Sequence, residues 1–513
     1  MAEAGVDLIE AGQAWEILIE AGPRRLLRIP AAEGRPSLIL KVLAPGTGTA
    51  QARQRANRQK ALLDSLAGKD MPRILGIEER DHGLAIAFAD PGGLPLESLS
   101  PGLDWPLVLD LAQGLVRRID ALHRQGVLLR SVGRASFLAS PDGSSVSLLD
   151  LDDASPLGGE ASRWLDPELL QESLASFSPE RTGRINRPLD HRSDYYSLGT
   201  VLYCLICGHP PFVSSDALGI IHGHLALRPQ PPRELRPGMP LALSDIVMKL
   251  LEKSAEHRYQ GAEDLLSDLE ACAQGLGRKG RREAISLGRA EGGKSFSLPQ
   301  GLFGRDAEIA ALEASWAEVE AGRGGLVLVS GPAGAGKTAL IRELEKPVAE
   351  ARGYFAEGAF DEFGEAKPYS AWIELLKDLS GLLYMENELV VAGLREEVQA
   401  AGGSEARLLS SFVPGLSPIL GVGPEPPALE DGAAKNRIHG AFQSFLKALT
   451  GKGGGQGREG QDHSSRGPRQ ARSLVLFLDD LQWMDPESQD LLLSLLEAED
   501  LGSCLFVCSH RPG

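Results

Sequence analysis

Three runs of this chain hold groups whose types and spacing could bind phosphate or a divalent ion. The clearest is Gly331-Pro332-Ala333-Gly334-Ala335-Gly336-Lys337-Thr338, which follows the apolar run GLVLVS and precedes the amphipathic run ALIRELEKPVAE. Glycines at these spacings let the backbone curl so that successive N–H groups point inward at phosphate, and the start of the following helix adds the positive end of its dipole. Strand, loop and helix in this order make a P-loop, a site for ATP and Mg²⁺. Gly331, Gly334 and Gly336 let the phosphates approach, Lys337 reaches the β- and γ-phosphates, and Thr338 offers its hydroxyl to Mg²⁺. The plain alternative is a Gly-rich strand-to-helix turn, which the full eight-residue pattern argues against.

The second run is LVLFLDD, a fully apolar strand that delivers Asp479 and Asp480 at its C-terminal edge, where ligands of open α/β sheets collect. Nucleotide hydrolysis needs a carboxylate on Mg²⁺ and a group that positions water. Asp479 is the candidate metal residue and Asp480 the candidate base, against the alternative of an acidic pair that merely ends a buried strand. The third run is RPSLILKVL, with a lone Lys41 in an apolar strand. Taken alone, such a lysine is more often a solvated edge residue.

Positioning these groups takes more than one domain. At 513 residues the chain is about three times a typical domain of roughly 150. Its 42% hydrophobic and 24% charged residues exclude a wholly disordered or fibrous protein. Seventy acidic against 53 basic residues give a net charge of −17, which disfavours nucleic acid as the main partner. No apolar run reaches the 18 residues a bilayer span needs, and the acidic start MAEAGVDLIEAG lacks an export signal, so the chain reads as cytoplasmic without membrane insertion. Five cysteines, with Cys204 and Cys207 inside an apolar run, and ten histidines without ligand spacing give no zinc or disulfide framework.

Up to about position 275, β-type and amphipathic helical runs alternate, and then comes GLGRKGRREAISLGRAEGGKSFSLPQG, rich in Gly, Arg and Ser. The expected organisation is a tail over 1–12, a first domain over 13–275, a linker over 276–299 and a second domain over 300–513. Within the second, GKGGGQGREGQDHSSRGPRQARS at 451–473 lacks apolar residues to bury and reads as a disordered surface insertion.

From the P-loop through YFAEGAFDEF, KPYSAW, FLDDLQWMD and CLFVCSHRPG, the second half resembles the AAA-type signalling ATPases of the class with numerous domains. The resemblance implies that Arg511 follows the fourth strand at a sensor position near the γ-phosphate, with a plain surface arginine as the alternative. It also implies a fifth strand beside the P-loop strand, then a helical lid and a winged helix. The sequence has nothing after SHRPG, so the expectation is an incomplete ATPase module, an open edge on the P-loop strand, and a chain that is a fragment or a truncated reading frame.

The first half resembles Ser/Thr protein kinases through LHRQGVLLRSVGRASFLASPDGSSVSLLDLDDAS, then FSPERTGRINRPLDHRSDYYSLGTVLYCLICGHPPF, and LSDIVMKLLEKSAEHRYQGAEDLLSDLE. Ser178-Pro179-Glu180 matches the end of the activation segment, Arg258 the arginine that pairs with that glutamate, and Asp194 the residue that buttresses the catalytic loop. Phosphoryl transfer requires other groups, among them a Gly-rich lid, a lysine oriented by glutamate, a catalytic aspartate and metal ligands. WEILIEAGPRRLLRIPAAEGRP has no G-x-G-x-x-G, and Gln59 falls where the lysine's glutamate should be. The loop H-R-D-L-K-P-x-N becomes Leu129-Arg130-Ser131-Val132-Gly133-Arg134-Ala135-Ser136, which removes the base, a phosphate-facing lysine and a metal ligand. Asp150, in DLD where kinases carry D-F-G, survives as a single Mg²⁺ ligand, and Lys41 survives as a phosphate contact, which leaves room for weak ATP binding.

The expected architecture is therefore multidomain: a bilobal protein-kinase-like α+β fold, then a P-loop NTPase with a parallel α/β sheet, the latter truncated. The combination resembles the N-terminal half of large bacterial multi-sensor hybrid histidine kinases. It implies an ATP-binding signal-transduction protein whose kinase-like lobe, a pseudokinase, docks a protein partner, while the ATPase domain acts as a nucleotide switch and self-associates when nucleotide binds. The rival readings are an active Ser/Thr kinase that recruits Asp152 or Asp153, and a nucleic-acid-remodelling ATPase, which the acidic balance disfavours.

Overall fold

Alternating apolar residues in the first ninety positions form a five-stranded antiparallel sheet of β1 (Glu16–Ala21), β2 (Arg24–Ile29), β3 (Leu38–Leu43), β4 (Ile74–Arg80) and β5 (Gly83–Ala89), in the order β1-β2-β3-β5-β4. Helix α1 (Thr49–Ser65) joins β3 to β4. In β3, Lys41 lies opposite Leu26 of β2 and Ile86 of β5. Residues directly opposite share a face, and so do residues two apart, so Leu26, Ile39, Lys41 and Ile86 all point to the same side.

That side joins the main core of the first unit. Helix α2 (Trp105–His123) starts with a proline in its first turn and buries Val108, Leu111, Ala112, Leu115, Ile119 and Leu122, one stripe at helical spacing. A short hairpin follows, β6 (Phe137–Ala139) and β7 (Val146–Leu148). Helix α3 (His191–Cys207) is buried almost throughout. Asp190 caps its start by accepting from the Arg192 N–H at 2.8 Å, and Gly208 ends it in the left-handed conformation, φ 83°. Helices α4 (Leu241–Leu250) and α5 (Ala262–Leu276) complete the layer, and one continuous apolar cluster runs from the sheet through all five helices.

The computed structural model describes residues 15–21, 24–32, 36–43, 49–66, 71–80, 83–99, 102–149, 151–156, 174–182, 184, 187, 189–214, 217–276, 304–361, 368–384, 386, 388–402, 404–421, 431–451, 472–498 and 501–512. They form two compact units: the first runs to 297 without 183–187 and 214–226, and the second comprises those two segments and residues from 298 onward. The tail over 1–12, linker residues 277–299 and insertion residues 452–471 lie outside the described residues.

The second unit is built on a parallel sheet in the order β8-β11-β10-β9. Its parts are α6 (Asp306–Glu320), β8 (Gly325–Ser330), α7 (Lys337–Arg342), β9 (Tyr354–Ala359), α8 (Ser370–Leu383), β10 (Leu474–Asp479), α9 (Pro486–Leu496) and β11 (Cys504–His510). The fully apolar β10 lies inside the sheet and is buried along its length up to Asp479, as parallel strands covered on both faces must be. Strand β8 has β11 as its one partner among the described residues, so it forms an edge, and its Leu328 is 58% exposed.

Arg472 lies within the stretch that reads as a disordered insertion, yet it is fastened. Its guanidinium donates to the Arg352 carbonyl at 2.8 Å and pairs at 3.0 Å with buried Glu386, which also accepts from Tyr354 at 2.5 Å. A charge-assisted bond to a buried carboxylate holds Arg472 just before β10.

Candidate functional site

The phosphate loop stands between β8 and α7. Gly334 and Gly336 adopt φ of 76° and 81°, the left-handed region that only glycine enters without strain, and the two together curl the loop. Lys337, the first helical residue, turns its ammonium back across the loop onto the carbonyls of Gly331 at 2.9 Å and Pro332 at 3.3 Å. An ammonium carries three donors and no acceptor, a group that could serve phosphate oxygens as it serves these carbonyls.

Thr338 and Asp479 meet although they belong to different strand–helix units. The Thr338 hydroxyl donates to Asp479 Oδ2 at 2.7 Å. Asp479 Oδ1 accepts from the Ser509 hydroxyl and, at 3.0 Å, from the Asp480 N–H. A hydroxyl and a carboxylate side by side at the head of a phosphate loop form the hard oxygen donor pair that suits Mg²⁺. Ser509 is the last residue but one of β11, the strand between β8 and β10, and so orients the carboxylate from the side.

Asp480, the residue after β10, sits in the left-handed region at φ 57°, rare for a residue other than glycine. Its Oδ1 accepts from the Gln482 amide at 2.7 Å, while Gln482 Oε1 accepts from the Arg511 N–H at 3.1 Å. The Arg511 guanidinium approaches Asp480 to 3.8 Å. One glutamine thus ties the end of β10 to the segment after β11. Sequence reasoning missed both Gln482 and Ser509. Their signal was present in FLDDLQW and CSHRPG, but a polar residue three places after an apolar strand and another near the end of one have no distinctive spacing until the strands are aligned.

In the first unit Lys41 is 1% exposed and forms an ion pair with Asp152, while Asp150 lies outside the described residues. Asp153 pairs with Arg181 at 3.0 Å. Gln59 on α1 is 3% exposed, and neither end of its amide finds a partner. The Ser131 hydroxyl lies 3.2 Å from that of Ser176. Asp194 accepts from the Leu129 N–H at 2.9 Å and touches His123 Nε2 at 2.8 Å, so it holds the backbone just before Arg130, which takes φ 62°. Glu180 and Arg258 form a buried fork, with Arg258 Nη2 and Nη1 at 2.8 and 3.2 Å from the two carboxylate oxygens.

Residues 301–507 match the AAA ATPase domain family. The C-terminal half carries an AAA ATPase domain. The chain is also similar to hybrid signal transduction histidine kinase G of Dictyostelium discoideum, at 31% identity over 355 residues, which is 65% of this chain and 10% of that protein. Histidine protein kinase 1 of Candida albicans is 24% identical over 370 residues, 65% of this chain and 14% of its own length. Serine/threonine-protein kinase PknB of Mycobacterium leprae is 30% identical over 163 residues, 32% of this chain and 25% of its own. The matched stretches thus span between a tenth and a quarter of these relatives, and the N-terminal half is related to Ser/Thr kinases at low identity. The P-loop, Asp479, Asp480 and Gln482 all fall within the AAA ATPase domain.

Proposed function

We propose that the protein is a cytoplasmic, ATP-binding signal-transduction protein in which the AAA ATPase domain acts as a nucleotide switch and the kinase-like half serves as a scaffold for a protein partner. The observation that carries this reading is the bond from Thr338 to Asp479 at the head of the phosphate loop. Lys337, Gly331, Gly334 and Gly336 would hold ATP phosphates, and Thr338 and Asp479 would hold Mg²⁺, which neutralises charge on the phosphates when bound. Asp480, oriented by Gln482, positions the attacking water and accepts its proton. Switching follows if one conformation of the domain binds nucleotide more tightly than the other, and self-association of that conformation would be its readout.

The kinase-related relatives support the signalling context, and the Ser131 hydroxyl at the base position supports a scaffold rather than a catalyst. A hydroxyl cannot take up a proton as a carboxylate does, and losing a general base costs about 10²–10⁴ in rate. The second reading, an active Ser/Thr kinase, is favoured by Asp152, a carboxylate brought to Lys41. The test is ATP titration and transfer of labelled γ-phosphate to a generic protein substrate by the full chain. The switch reading expects nucleotide binding that Lys337→Ala removes and no substrate labelling. Labelling that survives Lys337→Ala and vanishes in Asp150→Ala would overturn it.

A further inference from the structure

We infer that the cleft of the kinase-like half is sealed by its own side chains and takes no nucleotide, so that this chain carries a single ATP site, at 331–338. The inference extends the scaffold reading above and rests on it. Lys41 is the group a phosphate would have to meet. Lys41 is 1% exposed, and Leu26, Ile39 and Ile86, which share its face of the sheet, belong to one apolar cluster with Leu138 of β6 and Leu148 of β7, on the far side of the cleft. Leu26, Ile39 and Leu138 are all 0% exposed, so none of the three presents an open face against which an adenine ring could lie. The anion at the ammonium is supplied from within, by Asp152. A nucleotide would have to displace Asp152, whose side chain is 32% exposed, from the buried Lys41 ammonium and part an apolar seam before gaining any contact.

The segment that connects the two lobes is closed in the same way. Asp90 accepts from Arg28 Nε at 2.9 Å, from the Ser37 hydroxyl at 2.6 Å and from the Gly92 N–H at 2.8 Å, and Arg28 also donates to the Gly93 carbonyl. The Gly92 N–H, a backbone donor that a base edge could use, is already given to Asp90. Gly93 packs so closely on β6 that a Cβ there would lie 2.5 Å from the Ala139 carbonyl oxygen. Connector, upper sheet and lower hairpin are thus pinned together by polar bonds on one side of the cleft and by Lys41 and Asp152 on the other.

The test is equilibrium binding of labelled ATP with Mg²⁺ to the full chain. Wild type is expected to bind one equivalent and Lys337→Ala none. If Lys337→Ala keeps one equivalent that Lys41→Met/Lys337→Ala then loses, the sealed cleft is overturned. If wild type binds none, the sealed cleft is supported while the nucleotide-switch reading fails, so the two failures are separate. Thermal unfolding of the full chain tests the ion pair itself. Asp152→Ala should lower the midpoint of the first unit by a few degrees, because it removes the carboxylate paired with the buried Lys41 ammonium, and Lys41→Met/Asp152→Leu should recover most of that loss. An unchanged midpoint in Asp152→Ala would overturn the lock.

Discussion

Thr338 and Asp479 are 141 positions apart in sequence and 2.7 Å apart in space. The hydroxyl comes from the first turn after the phosphate loop and the carboxylate from the end of an interior strand, so the parallel sheet is what makes them one group. Asp479→Asn keeps the shape but removes the charge a divalent ion needs. It should leave metal-free ATP binding nearly intact and abolish the strengthening by Mg²⁺, whereas Lys337→Ala should weaken binding in both conditions by roughly 10²-fold or more. Titrations with and without Mg²⁺ distinguish the two. Equal losses in both variants would separate Asp479 from the metal role.

Gln482 holds Asp480 by one end of its amide and the Arg511 backbone by the other. As a positioning residue it should influence turnover more than binding. Gln482→Ala is expected to lower the rate of ATP hydrolysis about tenfold with little change in KM, and Gln482→Glu to do worse, because it places a second carboxylate against Asp480. A raised KM at unchanged kcat would assign Gln482 to substrate binding instead.

How far these sites could be read from sequence depended on whether one run of residues contained the whole arrangement. The P-loop and the strand before Asp479 are each continuous, so their local pattern specifies them. The contact between them is a matter of strand order, which the AAA-type resemblance supplied and spacing alone could not. Gln482 and Ser509 became visible only once β10 and β11 lay side by side. In the first unit the substitution at position 59 was legible by counting back from β4, but the pairing of Lys41 with Asp152 was not, because DLDD offers three carboxylates in four positions. Arg472 went unread for another reason: its partner Glu386 lies 86 residues away, in a helical region with no distinctive motif.

Gln59 offers a direct stability test. A buried amide without partners has given up its bonds to water and gained none in return, a cost of about 1–3 kcal/mol. Gln59→Leu has a similar shape and no polar atoms, and should raise the unfolding midpoint of the first unit by a few degrees. A lower midpoint would mean that the amide is satisfied in solution.

The fork between Glu180 and Arg258 anchors the helical part of the first unit. Both side chains are almost wholly buried, and the Arg258 guanidinium also lies 4.8 Å from the ring centre of Tyr196. Removing one charge leaves the other buried and uncompensated, so Glu180→Gln should destabilise this unit by about 3–5 kcal/mol, measured by urea unfolding. A loss below about 1 kcal/mol would place the pair among weakly coupled surface bridges.

Lys253 lies beneath the same aromatic group, its ammonium 4.3 Å from the centre of Phe212 and 5.9 Å from that of Tyr196. Burial, reinforced by the neighbouring Arg258 charge, pushes its pKa down from 10.5 to about 7. The unfolded chain therefore holds a proton between pH 7 and 10.5 that the folded chain has released, and stability rises with pH wherever the unfolded state binds more protons. Below about pH 7 both states are protonated, and the cost of burying the charge is at its full, constant value. Lys253→Met removes that cost. The variant should exceed wild type most at pH 6, and the gap should close steadily from pH 7 to 10, measured as the difference in unfolding midpoint at each pH. A gap that stays constant across this range would show that Lys253 keeps its proton in the folded protein.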